Sequence, residues 1–344
     1  MMEPAVGAAI DIPGPYLLFL GDVTERGYAK TAFGLRDWAP ERCVGQYSCP
    51  EATVSLDLPF LEPAAAYARG ARSMIIGVAN SGGVIVDRWV PHLVAALAAG
   101  LDLVSGMHAR LEDIPAVKTA AAVHGRRLIN VRHPPTGIPI ATGRKRTGRR
   151  LLTVGTDCVL GKKYTALAIT QAFRARGVAA DFRATGQTGI MIAGGGMPMD
   201  AVVCDFEAGA AEMLSPDAPE NHWDIIEGQG SLWHPAYAAV SLGLLHGSQP
   251  DVLVVCHQPG RTHILGLPDY PVPSIGELID LNLRLGRLTN PAIRCAGVSL
   301  NTADLSPQQA LALLARESAA LGLPVADPMR GGPQFEQLIR ACLQ

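Results

Sequence analysis

Short apolar runs alternate with amphipathic stretches along the whole chain. Residues 15–22 (PYLLFLGD), 71–83 (ARSMIIGVANSGG), 101–108 (LDLVSGMH) and 126–135 (RRLINVRHPP) read as buried strands that run into loops. Between them, residues 89–100 and 114–125 read as helices stopped by Gly100 and Gly125. Strands separated by single helices predict a Rossmann-like parallel sheet with right-handed crossovers. A second series opens with strand 151–155 (LLTVG) and a helix over 162–177, whose stripe is Tyr164, Leu167, Ala168 and Ala172. Strands follow at 178–186, 201–206, 222–228, 250–257, 293–302 and 322–328, with a helix over 307–321 started by Ser306 and Pro307. The fold expectation is α/β with two parallel-sheet domains.

The break between the two series is PPTGIPIATGRKRTGR, residues 134–149. Its prolines and glycines mark a boundary, drawn here as 1–143 and 144–344. The basic cluster Arg144, Lys145, Arg146, Arg149 and Arg150 is either a solvated linker or a group placed to reach a phosphate.

Composition narrows the classes. A chain of 344 residues with 48% apolar and 17% charged residues is long enough for two cores and too apolar to be disordered. A formal net charge of −2 argues against a protein that coats nucleic acid or an anionic membrane. No apolar run approaches the roughly 20 residues of a membrane span. Acids and prolines at the N-terminus replace the basic start and unbroken apolar stretch of a signal peptide, so a cytoplasmic protein is expected. Seven scattered cysteines without a C-x-x-C pair read as buried thiols in a reducing compartment. Sparse charge also points to a homo-oligomer, with apolar surface covered.

The sharpest motif is Gly155-Thr156-Asp157-Cys158-Val159-Leu160-Gly161-Lys162-Lys163-Tyr164-Thr165, placed between a strand and a helix. Such a turn aims main-chain N–H groups and a helix N-terminus at one point, which favours phosphate, and Lys162 adds a charge. This predicts a P-loop NTPase-like second domain. Two details depart from the Walker pattern. The loop has one residue more, and Lys163 stands where a Ser or Thr would hold Mg²⁺. Paired lysines suit a diphosphate held by direct charge contacts, with no metal required. Asp157 is either a turn former or a catalytic group.

Downstream, a strand ends at Glu227 before Gly228-Gln229-Gly230-Ser231, with His234 on the same loop. His257, Arg261, His263 and Asn301 follow later strand ends. Carboxyl edges of parallel strands are where such sheets bind ligands, so these residues converge on one site, with the Asn301 amide reading a purine edge. Neither zinc-ligand spacing nor a G-x-S-x-G elbow is present.

The strings LLTVGTDCVLGKKYTAL, DFRATGQTGIMIAGGGM, DAVVCDFEAGAAE, HWDIIEGQGSLWHPAYAAVSLGLLHG and HQPGRTHILGLPDYPVPS resemble the DgcN-type D-glutamate N-acetyltransferase family, once a family of unknown function. PYLLFLGDV, AKTAFGLRDW, GVANSGGVIVDRWVPHL and NVRHPP extend the resemblance over nearly the whole chain. It implies a Rossmann-like domain joined to a P-loop domain, and acetyl transfer from acetyl-CoA to D-glutamate. Gly155-Thr156-Asp157 and Glu227-Gly228-Gln229-Gly230 are also similar to dethiobiotin synthetase and its P-loop relatives. The alternative is therefore a Mg-ATP-dependent ligase or kinase of that class.

Under the acetyl-transfer reading, Gly155, Thr156, Gly161, Lys162, Lys163, Tyr164, Thr165 and Asn301 hold acetyl-CoA. A general base must deprotonate the acceptor amine, and Glu227, His234, His263 and, less favourably, Asp157 are candidates. Gly228–Gly230 supplies an oxyanion hole. Arg183 and Arg261 bind the two carboxylates, with Gly228 and Gln229 also at the substrate, and Asn80, Ser81 and Gly82 lie by the acceptor.

Overall fold

The computed structural model describes residues 10–80 and 83–344. Ser81 and Gly82, placed by the acceptor on sequence grounds, lie outside the described residues, as does the N-terminal stretch 1–9. The chain divides into two units. One runs up to Pro134 and includes residues 186–201; the other comprises residues 135–185 and 202–344.

The first unit carries five parallel strands: β1 (Tyr16–Phe19), β2 (Cys43–Tyr47), β3 (Ser73–Ile76), β4 (Asp102–Ser105) and β5 (Leu128–Asn130). Their order is β2-β1-β3-β4-β5. β1, β3 and β4 are buried at every position, which is why they read as runs rather than as alternation. The helices Val90–Ala98 and Pro115–His124 stand where the pattern predicts them. The helix Lys30–Trp38 and strand β2 are additions that the pattern did not single out.

The second unit carries six parallel strands: β6 (Arg149–Gly155), β7 (Ala180–Arg183), β8 (Trp223–Ile226), β9 (Val252–His257), β10 (Arg294–Leu300) and β11 (Val325–Ala326). Their order is β11-β10-β9-β6-β8-β7. The central strand β6 lies between β8 and β9, so the loops leaving these three strands emerge together at one edge of the sheet. Leu151, Ile169, Phe173, Trp223, Ile225, Val252 and Val254 form the core there, with Leu338 and Ile339 of the last helix packed in. Ser306 begins the helix Pro307–Leu321 with a capping box to Gln309.

Three expectations are corrected here. Residues 201–206 are not a strand. They fall in the 3₁₀ turns Met199–Ala201 and Cys204–Phe206, because Val203 is 66% exposed and the helix Glu207–Leu214 begins at once. The helix Lys162–Arg174 buries Ala166, Ile169 and Phe173 most deeply, whereas Tyr164 of the predicted stripe is exposed. The basic cluster splits: Arg144, Lys145 and Arg149 are exposed as in a solvated linker, whereas Arg146 and Arg150 are buried and committed to the fold rather than to a phosphate. Arg150, 1% exposed, donates to Ser215 Oγ and to the carbonyls of Arg146, Thr147, Ser215 and Pro216. Arg146 donates to the carbonyls of Ser215 and Gly247, and burial pushes its guanidinium down to about 10. Arg144 pairs with Asp217 and Lys145 with Asp251.

Candidate functional site

Strand β6 ends at Gly155 and the helix Lys162–Arg174 starts after Gly161, whose φ of +103° is a conformation that side chains disfavour. The loop between them is held from inside. Asp157, 0% exposed, accepts the Cys158 N–H at 2.6 Å, the Leu265 N–H at 2.8 Å and Arg261 Nη1 at 2.9 Å. Its carboxylate is a turn former neutralised by Arg261. Arg261 also donates to the Cys158 carbonyl and to Gln258 Oε1, so it is committed to the protein rather than held out for a substrate carboxylate. Lys162 is buried with Nζ 2.8 Å from the Asp157 carbonyl oxygen, and burial pushes its ammonium below the usual lysine range.

The neighbouring strands add the rest. Just beyond β8, Glu227 is buried and accepts the Thr185 N–H at 3.0 Å, while its carbonyl accepts the Thr185 hydroxyl at 2.7 Å. Gly228 donates its N–H to Thr153 Oγ1 at 3.0 Å, and a Cβ there would overlap the Thr153 carbonyl oxygen. Gln229 Nε2 donates to Thr185 Oγ1 at 2.9 Å. His234 is 4% exposed, lies 4.4 Å from the Tyr237 ring centroid and accepts the Ala236 N–H on Nδ1. That bond places the proton of the neutral ring on Nε2. At the end of β9, His257 Nδ1 lies 2.9 Å from Thr156 Oγ1, and burial lowers its pKa.

The structure thus gathers Thr156, Asp157, Lys162, Glu227, Gly228, Gln229, His234 and Arg261 around one loop. Three sequence candidates have their side chains engaged elsewhere, and a fourth, His263, is exposed two residues from Leu265, whose N–H reaches Asp157. Arg183, the last residue of β7, turns its guanidinium back to Asp224 at 2.7 Å and to Asp181 at 3.6 Å. Thr165 is 3% exposed with its hydroxyl 2.8 Å from Ser299 Oγ, so it faces the sheet. His263 is exposed on the two-stranded ribbon His263–Ile264 and Leu267–Pro271. Asn301 follows β10, two strands from β6, and turns its Oδ1 to the Ala303 N–H. Lys163 lies 4.5 Å over the Tyr164 ring. The sequence reading passed over Thr153 and Thr185. The signal for Thr185 is its place in the glycine-flanked TGQTG, two residues beyond a strand that borders the Glu227 strand.

Two groups among the described residues bring metal-ligating atoms within 4.8 Å of one another: Asp157, Cys158 and His234, and Asp181, His222 and Asp224. Both already hold arginine, Arg261 in the first and Arg183 in the second, so a cation is present in each as a side chain. No helix among the described residues is long and apolar enough to cross a membrane.

Comparison with known proteins covers both halves. The family model described as the DUF1611_C P-loop domain matches residues 139–338, and that of the DUF1611_N Rossmann-like domain matches residues 41–134. A protein named D-glutamate N-acetyltransferase from Tritonibacter scottomollicae is 50% identical over 321 residues, 93% of this chain and 96% of its own. One of the same name from a Pseudoalteromonas species is 47% identical over 323 residues, 94% of this chain and 97% of its own. The crystal structure of a DUF1611 family protein from Anabaena variabilis superposes with a TM-score of 0.81 at 34% identity, over 96% of this chain and 99% of that one.

Proposed function

This chain belongs to the family that joins a DUF1611_N Rossmann-like domain to a DUF1611_C P-loop domain, and on that premise we propose that it moves the acetyl group of acetyl-CoA onto the amino group of D-glutamate. It is a D-glutamate N-acetyltransferase, the activity in the names of both relatives. The observation that carries acetyl-CoA as donor is the loop itself: two lysines open the helix, no hydroxyl follows Lys162, and the Thr165 hydroxyl is bound to Ser299. Main-chain N–H groups and ammonium groups hold the diphosphate directly, and no Mg²⁺ is required in this reading. The Mg-ATP alternative lacks the hydroxyl ligand that it needs.

In the transfer step the acceptor arrives as an ammonium ion and Glu227 takes one proton from it. The freed nitrogen lone pair attacks the thioester carbon, and the tetrahedral oxyanion collapses as the C–S bond breaks. The leaving thiolate takes the proton from Glu227, and the second amine proton leaves to solvent. His234 has its Nδ1 lone pair engaged by Ala236, which suits Nε2–H to donate to the oxyanion rather than to act as base. Gly228 has its N–H on Thr153, so main-chain donation falls to Gln229 and Gly230. Burial pushes the Cys158 thiol up and that of Cys256 to about 11, which favours direct transfer over an acetyl-cysteine intermediate.

Seven unpaired cysteines support a cytoplasmic protein. Exposed apolar side chains such as Phe60, Trp233, Tyr237 and Leu265 support a homo-oligomer. The test is mass spectrometry of the purified protein with acetyl-CoA and D-glutamate. Equal amounts of free CoA and N-acetyl-D-glutamate are expected; turnover of Mg-ATP with no acetylated product would overturn the reading.

A further inference from the structure

A cavity of about 290 Å³ opens within the first unit, just past the carboxyl end of β2. In open parallel sheets, ligands lie beyond the carboxyl ends of the strands, beside the point where the strand order reverses, and here the order turns at β1. Phe19, the last residue of β1, has its ring centre 5.8 Å from that of Tyr47 and 6.0 Å from that of His92, and both of those residues line the cavity. The volume stands at the lower end of the roughly 300–1,000 Å³ of pockets for drug-sized molecules, so its guest is small. The transfer chemistry above makes no use of it.

Three rings bound this space. Tyr47 ends β2, His92 stands on the helix Val90–Ala98, and Phe60 is 55% exposed. The Tyr47 hydroxyl lies 2.7 Å from His92 Nδ1, which holds those two rings in place. Against the plane of Tyr47, the Phe60 ring is inclined by 55° and the His92 ring by 64°. Inclined rings leave faces open to a guest, and the face of an aromatic ring is its negative side.

The charge of the wall has the same sign. Glu62 is the one lining residue among the acids, lysines and arginines. It precedes the helix Pro63–Ala68, yet its carboxylate does not cap that helix. Burial first, and then the Glu62 carboxylate, push the Tyr47 hydroxyl up to about 12. Burial first, and then Asp22 and Glu51, push the thiol of Cys49, which also lines the cavity, up to about 11. Asp22 is paired with Arg88, whereas no lysine or arginine pairs with Glu62 among the described residues. An anion in this space would be repelled by Glu62 and by the ring faces. An ammonium ion is attracted by both, and its alkyl part packs on the rings.

We propose that this cavity is a binding site for a small alkylammonium ion, its cationic head set against Glu62 and the rings of Tyr47 and Phe60. The site lies within the first unit alone and stands apart from the activity proposed above.

The test is calorimetry on the full chain with three probes: choline, n-butylammonium, and the neutral analogue of choline that has carbon in place of nitrogen. At least one of the two cations should bind, and the neutral analogue should bind about ten-fold more weakly than choline or not at all. Tighter binding of choline identifies a methylated head held by the rings; tighter binding of n-butylammonium identifies N–H donation to Glu62. Glu62→Gln, which keeps the size of the side chain, should weaken the preferred cation about ten-fold, and Phe60→Ala about five-fold. Phe60→Tyr, which keeps a ring, should recover most of that loss. Both side chains are exposed, and melting curves establish that each variant folds. Failure of both cations to bind, equal affinity for choline and its neutral analogue, or unchanged cation affinity in both Glu62→Gln and Phe60→Ala overturns the proposal. Presence or absence of acetyl transfer has no bearing on these titrations, so the site and the function above fail separately.

Discussion

The two ends of strand β6 carry two runs of basic residues with opposite uses. At its amino end, Arg146 and Arg150 donate to the carbonyls of Ser215 and Gly247, which close the helices Glu207–Leu214 and Ala238–Ser248. At its carboxyl end, Lys162 and Lys163 sit in the first turn of a helix. Helix C-termini present unpaired carbonyls and partial negative charge, so cations there complete the fold. Helix N-termini present N–H groups and partial positive charge, so a buried lysine there works against the protein's own field. The diphosphate proposed above would neutralise it. Counting charges along the sequence does not separate the two runs; the polarity of the helix ends beside them does.

The largest expected effect lies at the carboxyl end. Glu227→Gln keeps an oxygen that can accept the Thr185 N–H but removes the proposed base, so kcat should fall by about 10²–10⁴-fold with little change in melting temperature. A stopped assay over a range of D-glutamate concentrations, beside a melting curve, checks this; unchanged kcat would move the base elsewhere. At the amino end the loss should appear as stability instead. Arg150→Ala strips donors from Ser215 and from several buried carbonyls and leaves Asp224 less compensated, at a cost of about 3–5 kcal/mol. Urea unfolding measures it. A stable Arg150→Ala protein with weakened acetyl-CoA binding would erase the distinction between the two ends.

The same distinction explains what the sequence discloses and what it hides. Buried parallel strands announce themselves as apolar runs, and the helix from Pro307 announces itself through Ser306. The neighbourhood of Glu227 and the phosphate loop follows once β8 is placed beside β6. Residues 186–201 belong with the first unit although they lie inside the second half of the chain, and nothing in their periodicity records that. Nor does residue type say whether an arginine is partnered: Arg183 and Arg261 look like carboxylate readers until Asp224 and Asp157 are found against them. Val203 sits in an apolar run that looks like a strand, but a strand needs a neighbour to accept its hydrogen bonds.

Lys162 and Lys163 sharpen the comparison further, because they differ in depth. Lys162→Ala removes a buried ammonium aimed at the loop and should raise the KM for acetyl-CoA about 10–100-fold, the range for a charge-assisted hydrogen bond. The stability of the ligand-free protein should change by no more than about 1 kcal/mol, since the lysine opposes the helix dipole. Lys163 is half-buried with its ammonium over the Tyr164 ring, where solvent screens its charge. Lys163→Met should therefore raise the KM for acetyl-CoA only about three-fold, a loss within the range of an exposed ion pair. Added salt should shrink the Lys163 effect and leave most of the Lys162 effect, because screening reaches exposed charges far better than buried ones. Titrating both variants with acetyl-CoA at low and high salt reads this directly. Equal salt sensitivity would mean that the two lysines act as one solvated patch, and the buried grip on the diphosphate would have to be abandoned.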